Sequence, residues 1–281
     1  MNNHIIISNQ KNFNLKLSQL EKAGLESLSI ISDFDRTLTY AKNKNGESAH
    51  TSFSLIRNTG YLPALAIKQL NEYFLEYGPH ENDPYLDDQT KTELMTQWWS
   101  KVFDVYIQQS IKKQFIYQIV EKHGLALRSG HIELLDKLKF HQVPLLIFSA
   151  GMGEVIDHYL NYNKLNFANI NLISNFFTYN NENQIIGYHQ PIIHSLNKTT
   201  DTAENTIYYK KVAAKKNIIL LGDSFHDPHM AKDINHDCIL RIGFLNSKED
   251  QFLDMYKDLY DVVILKDQGL EYVVQLINQL G

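Results

Sequence analysis

Leu28-Ser29-Ile30-Ile31-Ser32-Asp33-Phe34-Asp35-Arg36-Thr37-Leu38-Thr39 joins an apolar run to a pair of carboxylates. The run is short and β-branched, which predicts a buried strand. Alternate residues of an extended segment share a face. Asp33 and Asp35 can therefore point into one site at the carboxyl end of that strand, where open parallel α/β sheets place their ligands. Two like charges this close repel, and one is pushed toward its protonated form unless a cation relieves the pair. A nucleophile beside an acid, or a metal site, uses that arrangement. Taken alone, the pair also fits a turn with a capping aspartate.

Downstream of this stretch the character of the chain changes twice. Ala41 to Glu47 is polar and turn-rich, a natural boundary. From about His50 to Ala126 strand signals vanish and helices are expected over Leu65–Tyr77, Asp88–Gln108 and Lys112–His123, the last stopped by Gly124. Trp98, Trp99 and Phe103 read as the core of this block. From Arg128 onward strands alternate with helices. Strands are expected at Val143–Phe148, Leu172–Ser174, Asn217–Leu221, Ile239–Ile242 and Val262–Leu265, with a hairpin over Phe176–Ile193. Helices are expected over Gly130–Phe140, Glu154–Tyr162, Glu204–Ala214, Asp227–Lys232, Lys248–Tyr256 and Gly269–Leu280, and another over Asn14–Leu25 before the first strand. Such alternation implies an α/β fold: a Rossmann-like parallel sheet with helices on both faces, carrying an inserted helical cap. The expected division is a core of residues 1–42 and 127–281 and a cap of residues 43–126.

Composition narrows the function. A net charge of −5 offers no basic field for nucleic acid. The lone cysteine, Cys238, excludes a disulfide framework within the chain and favours a reducing cytoplasm. It lies in an apolar run and reads as a small buried hydrophobe. The isoleucines at 5–7 are too few for a signal peptide, and no stretch approaches the ~20 apolar residues of a membrane span. No membrane or nucleic-acid partner is expected, and the chain is expected to be a monomer.

Three expected strands end in polar loops: Asp33 with Asp35, Ser149, and Asp223 with Asp227. The carboxyl ends of parallel strands share one edge, so these loops can converge. Their hard oxygen ligands suit Mg²⁺, which keeps waters and also binds phosphate. Ser149 and Asp223 each also fit a helix cap, and Lys198 alone fits a solvated charge.

The loops together resemble the haloacid-dehalogenase superfamily. Asp33-Phe34-Asp35-Arg36-Thr37 is similar to its first motif, Phe148-Ser149-Ala150-Gly151 to its second, Lys198 to its third, and Gly222-Asp223-Ser224-Phe225-His226-Asp227 to its fourth. Within it the chain resembles the cytosolic 5′-nucleotidase III, or pyrimidine 5′-nucleotidase, family. Glu81-Asn82-Asp83-Pro84, Gln97-Trp98-Trp99-Ser100-Lys101 and Leu127-Arg128-Ser129-Gly130 carry that likeness, as does Ile242-Gly243-Phe244-Leu245-Asn246. The resemblance implies that Asp33 attacks phosphorus and becomes an aspartyl-phosphate, while Asp35 acts as general acid and then base. It implies Mg²⁺ on the Asp33 carboxylate, the Asp35 backbone carbonyl, Asp223 and Asp227. Ser149, Ala150 and Lys198 are implied to bind the phosphoryl group, and Glu81 to face the nucleoside. The implied reaction is hydrolysis of nucleoside 5′-monophosphates, pyrimidine ones first. The alternatives are a phosphatase of another small phosphomonoester and a non-catalytic module that binds a phosphorylated ligand. The chain departs from the family at Ser52-Phe53-Ser54-Leu55, where the family carries Cys-His-Asn. It departs again at Val102 and at His226, which replaces a glycine.

Overall fold

The computed structural model describes residues 4–204, 206–232 and 235–281. Strand β1 spans Ile5–Ile7, helix α1 Gln10–Ala23 and strand β2 Leu28–Ser32. Helix α1 begins four residues earlier than the apolar spacing suggests, because the Asn9 side chain accepts from Asn12 N and caps it. Gly24 ends the helix at a φ of 67°, a conformation that favours glycine. A block of four helices follows: α2 over Ser52–Asn58, α3 over Ala64–Tyr77, α4 over Asp88–Gln108 and α5 over Lys113–His123. After α6 (His131–Phe140) come β3 (Leu145–Met152), α7 (Gly153–Tyr162) and β4 (Ile170–Asn175). The expected hairpin is present as β5 (Phe177–Tyr179) and β6 (Ile185–Tyr188).

Two short helices follow, α8 (Thr200–Ala203) and α9 (Ile207–Ala213), where one helix over Glu204–Ala214 was expected. Asn205, inside that expectation, lies outside the described residues. Thr206 caps α9 by accepting from Tyr209 N, so the second helix starts afresh there. The chain ends with β7 (Asn217–Gly222), β8 (Cys238–Leu245), α10 (Glu249–Leu259), β9 (Val262–Leu265) and α11 (Glu271–Leu280). Asp227 to Ala231 forms a 3-10 turn rather than the expected helix over Asp227–Lys232.

Seven strands form one sheet in the order β1-β9-β8-β7-β2-β3-β4. All neighbours are parallel except β1, which runs antiparallel to β9, with Ile6 opposite Val263. The fold is therefore α/β with a mostly parallel sheet, as expected, plus one antiparallel edge strand that three isoleucines alone did not announce. Strand β2 is an interior strand, Ile30 pairing with Leu145 of β3 on one side and Ile219 of β7 on the other.

Successive residues of these strands enter different cores. Ile30, Leu145, Ile147, Ile219 and Leu221 pack on one face with Leu20, Leu134 and Val273. Ile31, Leu146, Phe148, Ile218 and Leu220 pack on the other with Tyr209, Val212 and Tyr256. Both faces are covered, so the strands read as continuous apolar runs. Each such side chain, fully buried, contributes about 1.5–3 kcal/mol.

The helical block α2–α5 begins and ends at one place. Thr39 and Leu127 form an antiparallel bridge. Tyr40 N donates to Ala126 O (2.8 Å) and Arg128 N to Leu38 O (2.9 Å). Inside the block, Trp98, Trp99 and Phe103 are buried, as expected. Phe103 packs on Phe177 and Tyr188 of the hairpin, at centroid distances of 5.3 and 4.9 Å. The hairpin thus supports α4 from below.

Candidate active site

Adjacent parallel strands bring their carboxyl ends to one edge, and β2, β3 and β7 are neighbours. Asp33, Ser149 and Asp223 therefore meet although up to 190 residues separate them (33 to 223). Asp33 is placed by its own N–H, which donates to Leu221 O (3.0 Å). The loop then folds back on itself: the N–H groups of Leu38 and Thr39 both donate to Phe34 O, at 3.0 and 3.1 Å. Arg36 takes the left-handed conformation, φ 66°, which an arginine adopts only at a cost.

Arg128 holds that strained turn. It is fully buried, and its Nε donates to Thr37 O (2.8 Å) and its Nη2 to Arg36 O (2.6 Å) and Asn246 Oδ1 (2.7 Å). Its charge is met by Asp267, 2.9 Å from Nη1. Asp267 in turn accepts from Ala41 N and Lys42 N, where the chain departs for the helical block. Nothing local in the sequence marks Arg128 for this task; its partners lie about ninety or more residues away.

Three carboxylates form the centre. One oxygen each from Asp33, Asp223 and Asp227 lies within 4.8 Å of the others. Lys198 Nζ donates to Asp33 Oδ1 (2.7 Å) and Asp227 Oδ1 (2.5 Å). Asp227 is the best-anchored of the three. Its Oδ2 accepts from Asp223 N and Ser224 N, both 2.9 Å. Gly222 makes room for it: a Cβ there would lie 2.4 Å from Asp227 Cβ. Tyr260 donates to Ser224 O (2.5 Å), Tyr256 to Asp223 O, and Thr37 Oγ1 to Asp223 Oδ1 (3.2 Å).

The electrostatics follow from crowding negative charge in little water. Burial raises the Asp33 carboxyl to about 7 against the opposing pull of Lys198, with Asp227 adding to the rise. Burial, then Asp33 and Asp227, push Asp223 well above the usual carboxylate range. Burial opposes the charge of Lys198, but Asp227 and Asp33 outweigh it and hold the ammonium firmly protonated. One lysine does not neutralise three carboxylates. The donor set is all hard oxygen and is short of positive charge, so it fits a divalent cation. This cluster can bind a metal.

Asp35 stands apart from the three. Its Oδ1 accepts from Ser52 N (2.7 Å) and its Oδ2 from Ser52 Oγ (2.5 Å). Burial raises its pKa, and the two Ser52 contacts work against the rise. Ser149 is buried at the end of the straight part of β3, its Oγ accepting from Gly151 N (3.0 Å). Ala150 O accepts from Asn175 Nδ2 (2.9 Å), which fixes the same turn.

Glu81 sits in a 3-10 turn, Gly78–Asn82, beside α4. Its charge acts on His226, raising that imidazole's pKa against the larger lowering from burial. His226 and His229 lie together, ring centroids 6.3 Å apart. Cys238 is buried, and burial raises its thiol pKa, which suits a packing role.

The sequence and the fold are similar to those of known proteins. A family model described as pyrimidine 5′-nucleotidase (UMPH-1) matches residues 36–281. The 7-methylguanosine phosphate-specific 5′-nucleotidase of Rattus norvegicus is 36% identical over 265 residues, covering 94% of this chain and 88% of that protein. Its Homo sapiens counterpart is 34% identical over 262 residues, covering 93% and 87%. The crystal structure of cytosolic 5′-nucleotidase IIIB bound to cytidine superposes with a TM-score of 0.89 at 27% identity, over 100% of this chain and 94% of that one. A phosphoserine phosphatase complex at 14% identity and TM-score 0.52 shares the fold, over 88% of this chain and 96% of that one. Among the described residues no helix is long and apolar enough to cross a membrane. The chain belongs to the pyrimidine 5′-nucleotidase (UMPH-1) family, on a haloacid-dehalogenase-type α/β fold, and is a phosphoric monoester hydrolase.

Proposed function

We propose that the chain is a Mg²⁺-dependent hydrolase of nucleoside 5′-monophosphates that works through an aspartyl-phosphate on Asp33. The observation that carries this reading is the division of labour among four aspartates. Three crowd around Lys198, while Asp35 is held aside by Ser52. A nucleophile needs a cationic surround; an acid/base needs an independent hydrogen-bonded seat.

Asp33, Asp223, Asp227 and the Asp35 carbonyl would hold the metal, and Mg²⁺ supplies charge that lets the Asp33 carboxylate meet an anionic phosphate. The chain's own residues do the rest. A carboxylate oxygen of Asp33 attacks phosphorus as the P–O bond to the nucleoside breaks, and the Asp35 proton passes to the departing alkoxide. Asp35 then takes a proton from water, whose oxygen attacks phosphorus and frees Asp33. Lys198 stabilises the charge that gathers on the phosphoryl oxygens, and Ser149 and the Ala150 turn line their seat. The segment 43–126 acts as a cap that excludes water from the intermediate, with Glu81 facing the nucleoside.

The substrate class is read from the relatives: pyrimidine monophosphates from the family description and the cytidine complex, and 7-methylguanosine monophosphate from the curated relatives. The test is phosphate release from CMP, UMP, 7-methyl-GMP, the ordinary purine monophosphates and phosphoserine, with Mg²⁺ and with chelator. Mg²⁺-dependent turnover on CMP, UMP or 7-methyl-GMP, cut roughly a thousandfold or more by Asp33→Asn, is expected. Turnover confined to phosphoserine would move the substrate. Binding of nucleotide with no phosphate release would leave a ligand-binding module.

A further inference from the structure

We propose that Ser52, carried into the site by the helical block, is a positioning residue for the acid/base carboxylate of Asp35. The proposal rests on the role given to Asp35 above. Ser52 is the first residue of α2 and is completely buried. It is the only described residue that touches both Asp35 oxygens: its N–H reaches Oδ1 at 2.7 Å and its hydroxyl reaches Oδ2 at 2.5 Å. Two donors on two oxygens fix the rotation of the carboxylate plane, which a single contact does not.

The direction of the hydroxyl proton is also set. Met152 N, on β3, donates to Ser52 Oγ at 3.3 Å. That donor occupies one lone pair of the hydroxyl, and the hydroxyl's own proton goes to Asp35 Oδ2. The chain of contacts runs from β3 through the block to the loop after β2, and ties three separate segments together.

Two further features serve this contact. Thr51 and Ser54 cap each other's backbone, Ser54 N to Thr51 Oγ1 (3.0 Å) and Thr51 N to Ser54 Oγ (2.9 Å), which fixes the start of α2 and so the aim of Ser52. Gly151 leaves the space the pair occupies: a Cβ there would lie 1.9 Å from Ser52 Oγ and 2.8 Å from Asp35 Oδ2. The glycine, the capped helix start and the buried serine are three independent sequence choices that converge on one carboxylate. The acid/base is thus completed from the inserted block and not from the sheet.

The consequence is specific to one proton transfer. When the P–O bond to the nucleoside breaks, the alkoxide needs the Asp35 proton. When the bridging atom is sulfur, the bond breaks to a thiolate that needs none. The experiment compares Ser52→Ala with wild type on the best monophosphate of the panel and on its 5′-thio analogue, in which sulfur replaces the bridging oxygen. The quantity read is kcat/KM, which covers the steps up to leaving-group departure. A loss of ~10- to 100-fold on the oxygen ester, the span a hydrogen bond to a charged group commands, is expected, with less than ~3-fold on the sulfur ester. Ser52→Cys keeps the side chain's shape with a weak donor and is expected to show the same selective loss. It serves as the check if Ser52→Ala lowers the melting temperature. Equal losses on both esters, or no loss on either, would overturn the proposal. Failure of wild type to release phosphate from the oxygen ester is a separate result and strikes the hydrolase reading itself.

Discussion

Replacing Lys198 by methionine removes one charge and keeps most of the side chain's bulk. In the native arrangement that charge lies 2.7 Å from Asp33 and 2.5 Å from Asp227, with both partners buried. Removing one member of such a group leaves the other charges uncompensated, at a cost of about 3–5 kcal/mol. Unfolding entropy scales with length, near 2 cal/mol/K per residue, so 281 residues give roughly 0.6 kcal/mol per degree. Lys198→Met should therefore melt ~5–8 °C lower without metal. The loss should grow with pH. Lys198 pulls the Asp33 pKa down from where burial would put it, so the variant's Asp33 titrates above the present value of about 7. A carboxyl whose folded pKa is raised contributes stability at low pH and loses it as pH rises through that pKa. The assay is a melting curve at pH 5, 7 and 8, each with chelator and with Mg²⁺. Mg²⁺ should raise the melting temperature of the variant more than that of wild type, because the cation then answers charge the lysine no longer meets. Equal melting temperatures without metal, or a smaller Mg²⁺ increment in the variant, would refute the account of Lys198 as the counter-charge of the cluster.

Gly151→Ala should lower turnover by roughly a hundredfold or more while the fold persists, since its Cβ would sit 1.9 Å from Ser52 Oγ; turnover and circular dichroism on one sample check this. Glu154, buried at the start of α7 with its Oε1 accepting from Phe177 N (2.7 Å), is raised by burial to about 7 from an ordinary 4.5. At about 1.4 kcal/mol per pH unit that difference is about 3 kcal/mol. The stability it represents is complete below 4.5 and lost as pH rises through about 7, so Glu154→Gln should raise the melting temperature at pH 8 and leave it nearly unchanged at pH 4.5. An equal shift at both pH values would contradict the raised pKa.

The sequence announces those parts of the molecule whose signals are local. Ile30-Ile31 feeding Asp33 marks an interior strand because both faces of β2 are buried. Asp33, Ser149 and Asp223 are legible because each sits at the end of an apolar run, and Asp227 follows four residues after Asp223 in the same loop. Strand β1 is not, because three isoleucines become a strand only by pairing with Val262–Ile264, some 255 residues away. Strand β8 extends beyond the expected Ile239–Ile242 to Cys238–Leu245, because the hydrogen bonds to β7 and β9 carry it past Gly243. Arg128 and Ser52 are the residues of the site whose tasks sequence reasoning missed. Both act through contacts to distant segments, and a lone buried arginine or serine has no spacing that gives it away. Ser52 does lie in the stretch where the chain departs from its family, and Arg128 in one that carries the family likeness, Leu127-Arg128-Ser129-Gly130.

The bridge between Thr39 and Leu127 has a practical meaning. Paired residues of antiparallel strands lie about 4.5–5.5 Å apart. The chain thus leaves for the helical block and comes back from it almost at the same point, although 87 residues separate Thr39 from Leu127. A two-residue turn is enough to close such a gap. A graft that exchanged the helical block would keep its two ends together at this bridge, while the contacts of α2, α4 and α5 with β3, the hairpin and α7 would be lost with the old block. Such a graft would remove Ser52 with the helices, so a transplanted block would have to bring its own donor for Asp35.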